Sequence, residues 1–324
     1  MIWQFLLFLA VGLVFLGGAS GIAVSNIVAI SEKRRLKKSV LSFLLVAMST
    51  SLPELFVAIN AIILGEMSVS LGDILGSNIT NISLIIGVSL LVASLNHSEH
   101  TRMVLSGEER RELITGLMLL SITLLTLLYL QYVGRVIGIL LLGIFFVYSY
   151  ILVQKRKEDG DDNPNETTDR RIGKEIALTI VGIVGVLMGA RLTVKSAIEI
   201  ANFFGVPGSI IGATLVALGT SLPELAVDVR AAYRGYFEIA LGDIVGSCFL
   251  NSTLILGLLL TFTPFKANLL VLSDLILFGV ISNLLLWYFL GLGKIMGRRE
   301  AVIFLSVYVV YLLGLFEILI LRVA

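Results

Sequence analysis

The chain carries one long stretch of its sequence twice. Residues 43–87 align with residues 213–257 at a constant offset of 170 and without a gap, and 22 of the 45 aligned positions are identical. Both copies include the hexapeptide TSLPEL, at 50–55 and at 220–225. A repeat of this length and identity indicates a fold that consists of two related halves.

Both copies lie in apolar surroundings. Of the 324 residues, 57% are hydrophobic and 15% are charged, and the mean hydropathy is +0.99, whereas soluble domains are about 45–50% apolar and about 25% charged. This composition predicts an all-α polytopic membrane protein. The net charge of +1 argues against nucleic-acid binding, and the single cysteine, Cys248, excludes an intrachain disulfide framework.

Apolar stretches near the roughly 20 residues that cross a bilayer predict ten transmembrane helices. They fall at about 2–30, 39–64, 68–95, 113–131, 134–154, 174–202, 208–233, 238–262, 268–291 and 300–321. The first stretch has neither a basic flank nor a small-residue cleavage site, so we expect it to remain as the first helix.

One long polar segment, residues 155–171, separates the fifth helix from the sixth and has the composition of a flexible linker. We therefore expect a first five-helix repeat at 1–154, a cytoplasmic linker at 155–173 and a second five-helix repeat at 174–324. Because five is an odd number, the second repeat enters the membrane with the opposite polarity. Inverted repeats with interrupted helices, expected here for helices 2, 3, 7 and 8, are typical of secondary transporters with a site near the midplane.

The distribution of basic residues predicts the orientation in the membrane. With the N-terminus outside, the inward loops carry 19 Lys and Arg residues and the outward segments carry three. The remaining two, Arg191 and Lys195, lie within the sixth helix, where snorkelling to the headgroups explains them. We expect a multi-pass protein of the plasma (inner) membrane that functions as a monomer, with both termini outside and the basic loops in the cytoplasm.

The repeated hexapeptide places a proline inside an apolar helix. Pro53 and Pro223 lack an N–H and clash with the carbonyl four residues back, so we expect helix breaks near the threonine three residues earlier. Such a break frees backbone carbonyls, here at about 47–49 and 217–219, which a membrane tolerates only where they face protein or a polar cavity. Carbonyl oxygens, hydroxyls and a carboxylate are the ligands that Ca²⁺ and Na⁺ prefer.

Glu54 and Glu224 follow the two prolines directly. A glutamate near the bilayer centre costs roughly 3 kcal/mol or more and usually marks an ion pathway. Neither glutamate has a basic partner nearby in the sequence. Together they supply two negative charges, which one Ca²⁺ or two or more Na⁺ neutralise, and the use of one site by turns gives antiport.

The third helix of each half supplies a second set of polar side chains. Ser77 and Asn81 are four residues apart and therefore share one helical face, as do Ser247 and Asn251 in the second copy. We expect these faces to form the other wall of the site.

The duplicated TSLPE, followed in each half by GSxxxN, resembles the α-repeats of the sodium/calcium exchanger family. The resemblance covers both five-helix halves and implies an inverted-repeat bundle of ten helices that exchanges Ca²⁺ for Na⁺, without cofactor or enzymatic activity. The ligands that it implies are Glu54 and Glu224 with the carbonyls of Thr50 and Thr220 for calcium, the carbonyls of Ala47 and Ala217 with Ser51, Ser221, Ser77 and Ser247 for flanking sodium sites, and Asn81 and Asn251 for the middle layer.

The chain departs from the family pattern at four places. Ser49 replaces a glycine and residues 42–44 replace a GAT-like triplet, so the first half is expected to pack or move differently. Asp73 and Asp243 stand where the family more often has asparagine. These aspartates either enrich the ion pathway, bind protons, or serve as helix-end caps or members of a hydrogen-bond network. Asn251 stands where some prokaryotic relatives have aspartate, which makes the middle layer less negative.

Three alternatives remain open. A Ca²⁺/H⁺ antiporter would use the two extra aspartates, although its branch typically carries a GNxxE signature in place of TSLPE. An intramembrane aspartyl protease also needs two aspartates, although Ser70 and Ala240 stand where that family has glycine. A channel would use the same ligands without a counter-ion requirement. Asp228, one turn after Glu224, either lines the inward vestibule or pairs with an arginine.

Overall fold

The computed structural model describes most of the chain as helix. The described residues are 2–33, 48, 50–96, 107–129, 132–158, 173–233, 235, 237–263, 265–266, 269–292 and 296–323. All structural statements below concern these residues.

Six helices of the first half have both ends within the described residues. Their bounds are α1 Ile2–Lys33, α2 Leu52–Leu64, α3 Met67–Ile79, α4 Ile86–Asn96, α5 Gly107–Tyr129 and α6 Arg135–Glu158. A π turn at Thr80–Ile85 joins α3 to α4.

The second half follows a closely related order. Its helices are α7 Gly173–Phe204, α8 Gly208–Ile211, α9 Ala217–Thr220, α10 Leu222–Tyr233, α11 Phe237–Leu250, α12 Leu256–Phe262, α13 Leu269–Gly291 and α14 Arg298–Val323. π turns at Gly212–Val216 and Asn251–Ile255 join α8 to α9 and α11 to α12. A short antiparallel pair, β1 Tyr132–Val133 with β2 Phe265–Lys266, ties the two halves together.

The membrane-spanning capacity of these helices can be read from their length and composition. Within the described residues, six helices are long and apolar enough to cross a membrane, and the bent pair Gly208–Thr220 and Leu222–Tyr233 makes a seventh. Shorter apolar helices lie at Leu52–Leu64, Leu113–Thr126 and Arg135–Ile151. The count of ten spans stays a prediction, in part because the second predicted span begins at residue 39, before the described part of that helix.

The break predicted in the seventh span is present. The helix turns by 46° at Ser221, between α9 and α10. Pro223 lies in the first turn of α10, where its missing N–H would have no helical acceptor in any case. In the first half Ser51 is likewise a turn residue, and Pro53 lies in the first turn of α2.

The interruptions predicted in the third and eighth spans take a different form. The segment Met67–Leu95 is one continuous span, and so is Ala240–Phe262. Each contains a π turn instead of a break, because neither segment contains a proline and a π turn inserts one extra residue while the helical hydrogen bonds continue.

Two glycines allow α3 to approach the seventh span closely. A Cβ added at Gly72 would overlap the carbonyl oxygen of Ser209, and one added at Gly76 would lie 2.6 Å from Ala213 Cα. Small residues at four-residue spacing permit such backbone contact between membrane helices. The repeated segments therefore pack directly against each other at the centre of the molecule.

Candidate cation site between the repeated segments

The predicted site residues come together at the start of α2, in α9 and the start of α10, and in α3, α11 and the π turns that follow them. All of those in the described part of the chain are buried. They are Thr50, Ser51, Glu54, Asp73, Ser77, Asn81, Ala217, Thr220, Ser221, Glu224, Asp243, Ser247 and Asn251. Ala47, together with Ser49 and residues 42–44, lies outside the described residues.

Two contacts join the repeats through their hydroxyl groups. Thr50 Oγ1 lies 3.3 Å from Ser247 Oγ, and Thr220 Oγ1 lies 3.3 Å from Ser77 Oγ. The offset of 170 converts each contact into the other. Each repeat therefore contributes the same two side chains to a shared centre.

Glu54 and Glu224 lie next to each other in this centre. Each is fully buried, and they interact electrostatically. Glu54 also faces the hydroxyl groups of Thr220, Ser221 and Ser77. None of the four carboxylate oxygens has a hydrogen bond of good geometry, so both carboxylates retain their capacity to bind a cation.

The helix termini offset part of the cost of these buried charges. Glu54 lies in the first turn of α2, and Glu224 lies in the first turn of α10. The N-terminus of a helix carries a partial positive charge from its unpaired N–H groups, which stabilises a nearby carboxylate. The proline in each copy therefore creates the helix start that accommodates the glutamate beside it.

Asp73 and Asp243 occupy the middle of their helices, so neither is the helix-end cap that the sequence left open. Thr220 Oγ1 donates a hydrogen bond of 2.9 Å to Asp73 Oδ1, and Ser77 Oγ donates a longer one of 3.4 Å. The second Asp73 oxygen has no partner. Asp243 interacts with Thr50, the repeat counterpart of Thr220.

Asp228 also belongs to the site, which the sequence left undecided. Its side chain is fully buried against Asp243, and neither of its carboxylate oxygens has a hydrogen bond of good geometry. No Lys, Arg or His is among the buried residues in the described ranges, so Asp228 does not pair with an arginine in that part of the chain. The first repeat has Ala58 at the matching position, which makes the site asymmetric in charge.

The five carboxylates are connected by pairwise electrostatic interactions. Electrostatic neighbours connect Asp73 to Glu54, Glu54 to Glu224, and Glu224 to Asp243 and Asp228. No group of three or more acidic, His or Cys side chains converges as a metal centre in the described part of the chain. A cation here would be held by one or two carboxylates with hydroxyl and carbonyl oxygens, a ligand set suited to Ca²⁺ or Na⁺.

The asparagine layer is completed by a residue that the sequence comparison missed. Asn251 Nδ2 donates to Asn78 Oδ1 at 3.3 Å, and Asn78 Nδ2 donates to Ser252 Oγ at 2.8 Å. Neither side-chain atom of Asn81 has a hydrogen bond of good geometry. The repeat alignment does not indicate Asn78, because the matching residue of the second copy is Cys248. The one sequence feature that points to Asn78 is its position next to Ser77.

The helix break does not free the Ala217 carbonyl as the sequence predicted. This oxygen accepts the Ser221 N–H at 3.1 Å and the Thr220 hydroxyl at 3.2 Å. The reason is geometric, since Pro223 withdraws its N–H from the carbonyl four residues earlier, which is that of Gly219. The hydroxyl groups of Ser51 and Ser221 have no hydrogen-bond partner.

Comparison with known proteins gives consistent results along the whole chain. Residues 4–154 and 174–317 match the profile of the family described as sodium/calcium exchanger protein. The sodium/calcium exchanger MaX1 of Methanosarcina acetivorans is 32% identical, with 96% of this chain and 98% of MaX1 covered. The putative antiporter CaxA of Alkalimonas amylolytica is also 32% identical, with 78% of each protein covered.

A solved structure has the same fold. The sodium-calcium exchanger NCX_Mj, in crystals soaked with Na⁺ and Sr²⁺, superposes with a TM-score of 0.66 at 27% identity. The superposition covers 96% of this chain and 98% of NCX_Mj.

An all-helical membrane fold with a buried, oxygen-rich site built from two copies of one repeat defines an ion transporter. The chain belongs to the sodium/calcium exchanger family, because the family profile and the relatives match both halves. The resemblance carried by the TSLPE and GSxxxN motifs is therefore confirmed. The relatives are exchangers and not enzymes, which argues against an intramembrane protease.

Proposed function

We propose that the protein is a secondary active antiporter that exchanges Ca²⁺ for Na⁺ by alternating access to one site near the bilayer midplane. The observation that carries this proposal is the pair of buried carboxylates, Glu54 and Glu224. Both are fully buried without a basic partner among the described residues, they interact electrostatically, and Glu54 faces hydroxyl groups of both repeats.

The charge of the pair explains why exchange would be obligatory. Two adjacent carboxylates in a medium of low dielectric repel each other strongly, so a conformational change with both charged and no cation bound is unfavourable. One Ca²⁺ or at least two Na⁺ neutralise the pair equally well. The site would therefore change sides when loaded with either ion, and net movement of one would require return of the other.

The remaining ligand roles follow the resemblance and are supported by burial for the residues that the structure describes. Glu54 and Glu224 with the carbonyls of Thr50 and Thr220 would bind Ca²⁺. The flanking sodium sites would use Ser51, Ser221, Ser77 and Ser247 with the carbonyls of Ala47 and Ala217, and Asn81 with Asn251 would form the middle layer. The Ala217 carbonyl, which accepts two hydrogen bonds, would have to exchange one of them for Na⁺. Asp73 and Asp243 would extend the ion pathway on either side of the glutamates.

The proposed architecture is an inverted repeat of ten helices that works as a monomer. The repeats would comprise 1–154 and 174–324, with a cytoplasmic linker at 155–173 and both termini outside. The two blocks of the family match, 4–154 and 174–317, support this division. The contact between Thr50 and Ser247 corresponds, at the repeat offset, to the contact between Thr220 and Ser77. This correspondence supports a two-fold relation at the site.

Transport by purified protein in liposomes tests the proposed function. We expect ⁴⁵Ca²⁺ uptake when the liposomes contain Na⁺ and the outside solution does not, and no uptake when Na⁺ is equal on both sides. A calcium flux that needs no ion on the opposite side would indicate a channel and contradict the proposal.

A Ca²⁺/H⁺ antiporter is the second candidate, and the observation in its favour is the pair Asp228 and Asp243, two adjacent carboxylates beyond the glutamates. A pH gradient alone would then drive uptake. We expect that a pH gradient without Na⁺ does not drive Ca²⁺ uptake. Uptake driven by the pH gradient in the absence of Na⁺ would show that the counter-ion is H⁺ and not Na⁺.

A further inference from the structure

Tyr311 makes a hydrogen bond to the backbone of the seventh span. It lies in the middle of α14 and is fully buried. Its hydroxyl donates a hydrogen bond of 2.6 Å to the carbonyl of Ala213, which is 98 residues away in the chain. The Tyr311 ring packs edge-on against Phe278 with 5.6 Å between ring centroids, so packing fixes the direction of the hydroxyl.

The acceptor of this hydrogen bond lies in an irregular part of the helix. Ala213 belongs to the π turn Gly212–Val216, where each backbone hydrogen bond spans five residues instead of four. Such turns disturb the regular pairing of carbonyl and amide groups, and a side chain from a neighbouring helix can supply the missing donor. On its other side, Ala213 touches the backbone at Gly76, so its carbonyl is held between α3 and α14.

The π turn leads directly into the ligand-bearing residues. It is followed by α9, which carries Ala217 and ends at Thr220. Thr220 Oγ1 reaches back across the site to Asp73 Oδ1 at 2.9 Å. A rotation of the π turn about the helix axis would therefore move the Thr220 hydroxyl away from Asp73 and away from Glu54.

We propose that Tyr311 is a positioning residue for cation binding. Its hydroxyl holds the π turn in register, and the π turn holds Thr220 against Asp73 and beside Glu54. Tyr311 has no hydrogen bond to a predicted ligand oxygen within the described ranges, so it acts on ion affinity through the backbone of the seventh span. The proposal rests on the proposed function, since it concerns the affinity of the same site.

Tyr311→Phe tests this role because phenylalanine keeps the ring packing and removes only the donor. In liposomes with an outward Na⁺ gradient, we expect the apparent KM for Ca²⁺ to rise about fivefold, as for the loss of one net hydrogen bond. The maximal rate should stay close to wild type, and the melting temperature of the detergent-solubilised protein should fall by only a few degrees, because one buried hydrogen bond is lost while the ring packing is kept. Tyr288→Phe on α13, a tyrosine that is 54% exposed, is the matched control and should leave KM unchanged.

A double-mutant cycle with Thr220→Val separates positioning from packing. Valine removes the Thr220 hydroxyl and keeps the backbone carbonyl. If Tyr311 acts through Thr220, adding Tyr311→Phe to Thr220→Val should raise KM by less than about twofold, because contacts that share one path are not additive. The proposal would be overturned if Tyr311→Phe raised KM by the same factor in the wild type and in Thr220→Val. It would also be overturned if Tyr311→Phe lowered the maximal rate and the stability and left KM unchanged. Wild-type protein without Na⁺-dependent uptake would instead overturn the proposed function.

Discussion

Glu54 and Glu224 show how one residue type can serve a membrane site when its neighbours are arranged around it. Each glutamate starts a helix, beside a proline that supplies the start, and each is fully buried. The positive end of the helix lowers the cost of the charge without providing a fixed basic partner. A permanent Lys or Arg partner would compete with the transported cation, whereas a helix terminus leaves the carboxylate oxygens accessible.

Glu54→Gln and Glu224→Gln should each abolish exchange. Glutamine keeps the volume and removes one of the two charges that bind the cation, so we expect the initial rate of Na⁺-driven ⁴⁵Ca²⁺ uptake to fall by at least about a hundredfold, the loss expected from deleting a buried charged ligand. Glu199→Gln, an exposed glutamate on α7, is the control and should transport normally. Near-normal uptake by either site variant would remove that residue from the proposed ligand set.

Asp228→Asn should stabilise the protein when no cation is bound. The Asp228 carboxylate is buried against Asp243 without a basic partner in the described ranges, and an uncompensated buried charge is costly. We expect the melting temperature in chelator to rise by about 2–4 °C, which corresponds to about 1 kcal/mol in a chain of this size. The stabilisation gained on adding Ca²⁺ should shrink in the same variant. A lower melting temperature in chelator would mean that Asp228 makes a net favourable interaction.

At the scale of elements, the fold joins broken and unbroken helices around one centre. The seventh span breaks at Ser221, whereas the third and eighth continue through π turns. A break exposes a helix terminus for the glutamate, and a π turn keeps a long helix continuous while it shifts the faces on either side. The polar faces of α3 and α11 therefore stay in rigid helices, opposite the termini that carry the charges.

Gly76→Ala should separate two of these elements. The added Cβ would lie 2.6 Å from Ala213 Cα, and overpacking of this kind typically costs about 1–3 kcal/mol. We expect a melting temperature lower by several degrees, about 2–4 °C for each kcal/mol, together with slower Na⁺-driven uptake. Gly143→Ala on α6 is the matched control, since a Cβ there meets no atom within 4 Å. Equal behaviour of the two variants would show that α3 does not need this close approach.

At the scale of the whole molecule, two copies of one segment share a centre and differ in charge. The contacts Thr50–Ser247 and Thr220–Ser77 are related by the repeat offset. Asp228 in the second repeat corresponds to Ala58 in the first. The second repeat therefore contributes one more carboxylate to the site than the first.

Cations should stabilise the folded protein by mass action. At a Ca²⁺ concentration about 100-fold above its dissociation constant, binding to the folded state alone contributes about 2.7 kcal/mol. We expect thermal melts in detergent to shift upward with Ca²⁺, to shift back with chelator, and to show a smaller Ca²⁺ effect when Na⁺ is high. If the protein is folded and its melting temperature changes with neither Ca²⁺ nor Na⁺, the proposal of one site shared by both ions is wrong.

The sequence by itself determined the membrane class, the repeat and the glutamates, because these depend on composition, spacing and charge in an apolar run. A proline and a carboxylate are both unfavourable inside an apolar helix, so their presence in a hydrophobic segment indicates a helix break and an ion site without a structure. The family resemblance followed from the same residues.

The tertiary structure alone decided which residues complete the site. Asn78 and Asp228 join it through contacts with residues on other helices, and Tyr311 contacts the π turn that precedes Thr220. It also decided that the Ala217 carbonyl is paired and that the third and eighth spans continue through π turns. Local pattern cannot specify these features, because a buried polar atom takes whichever partner packing brings within hydrogen-bond distance, and that partner comes from another helix.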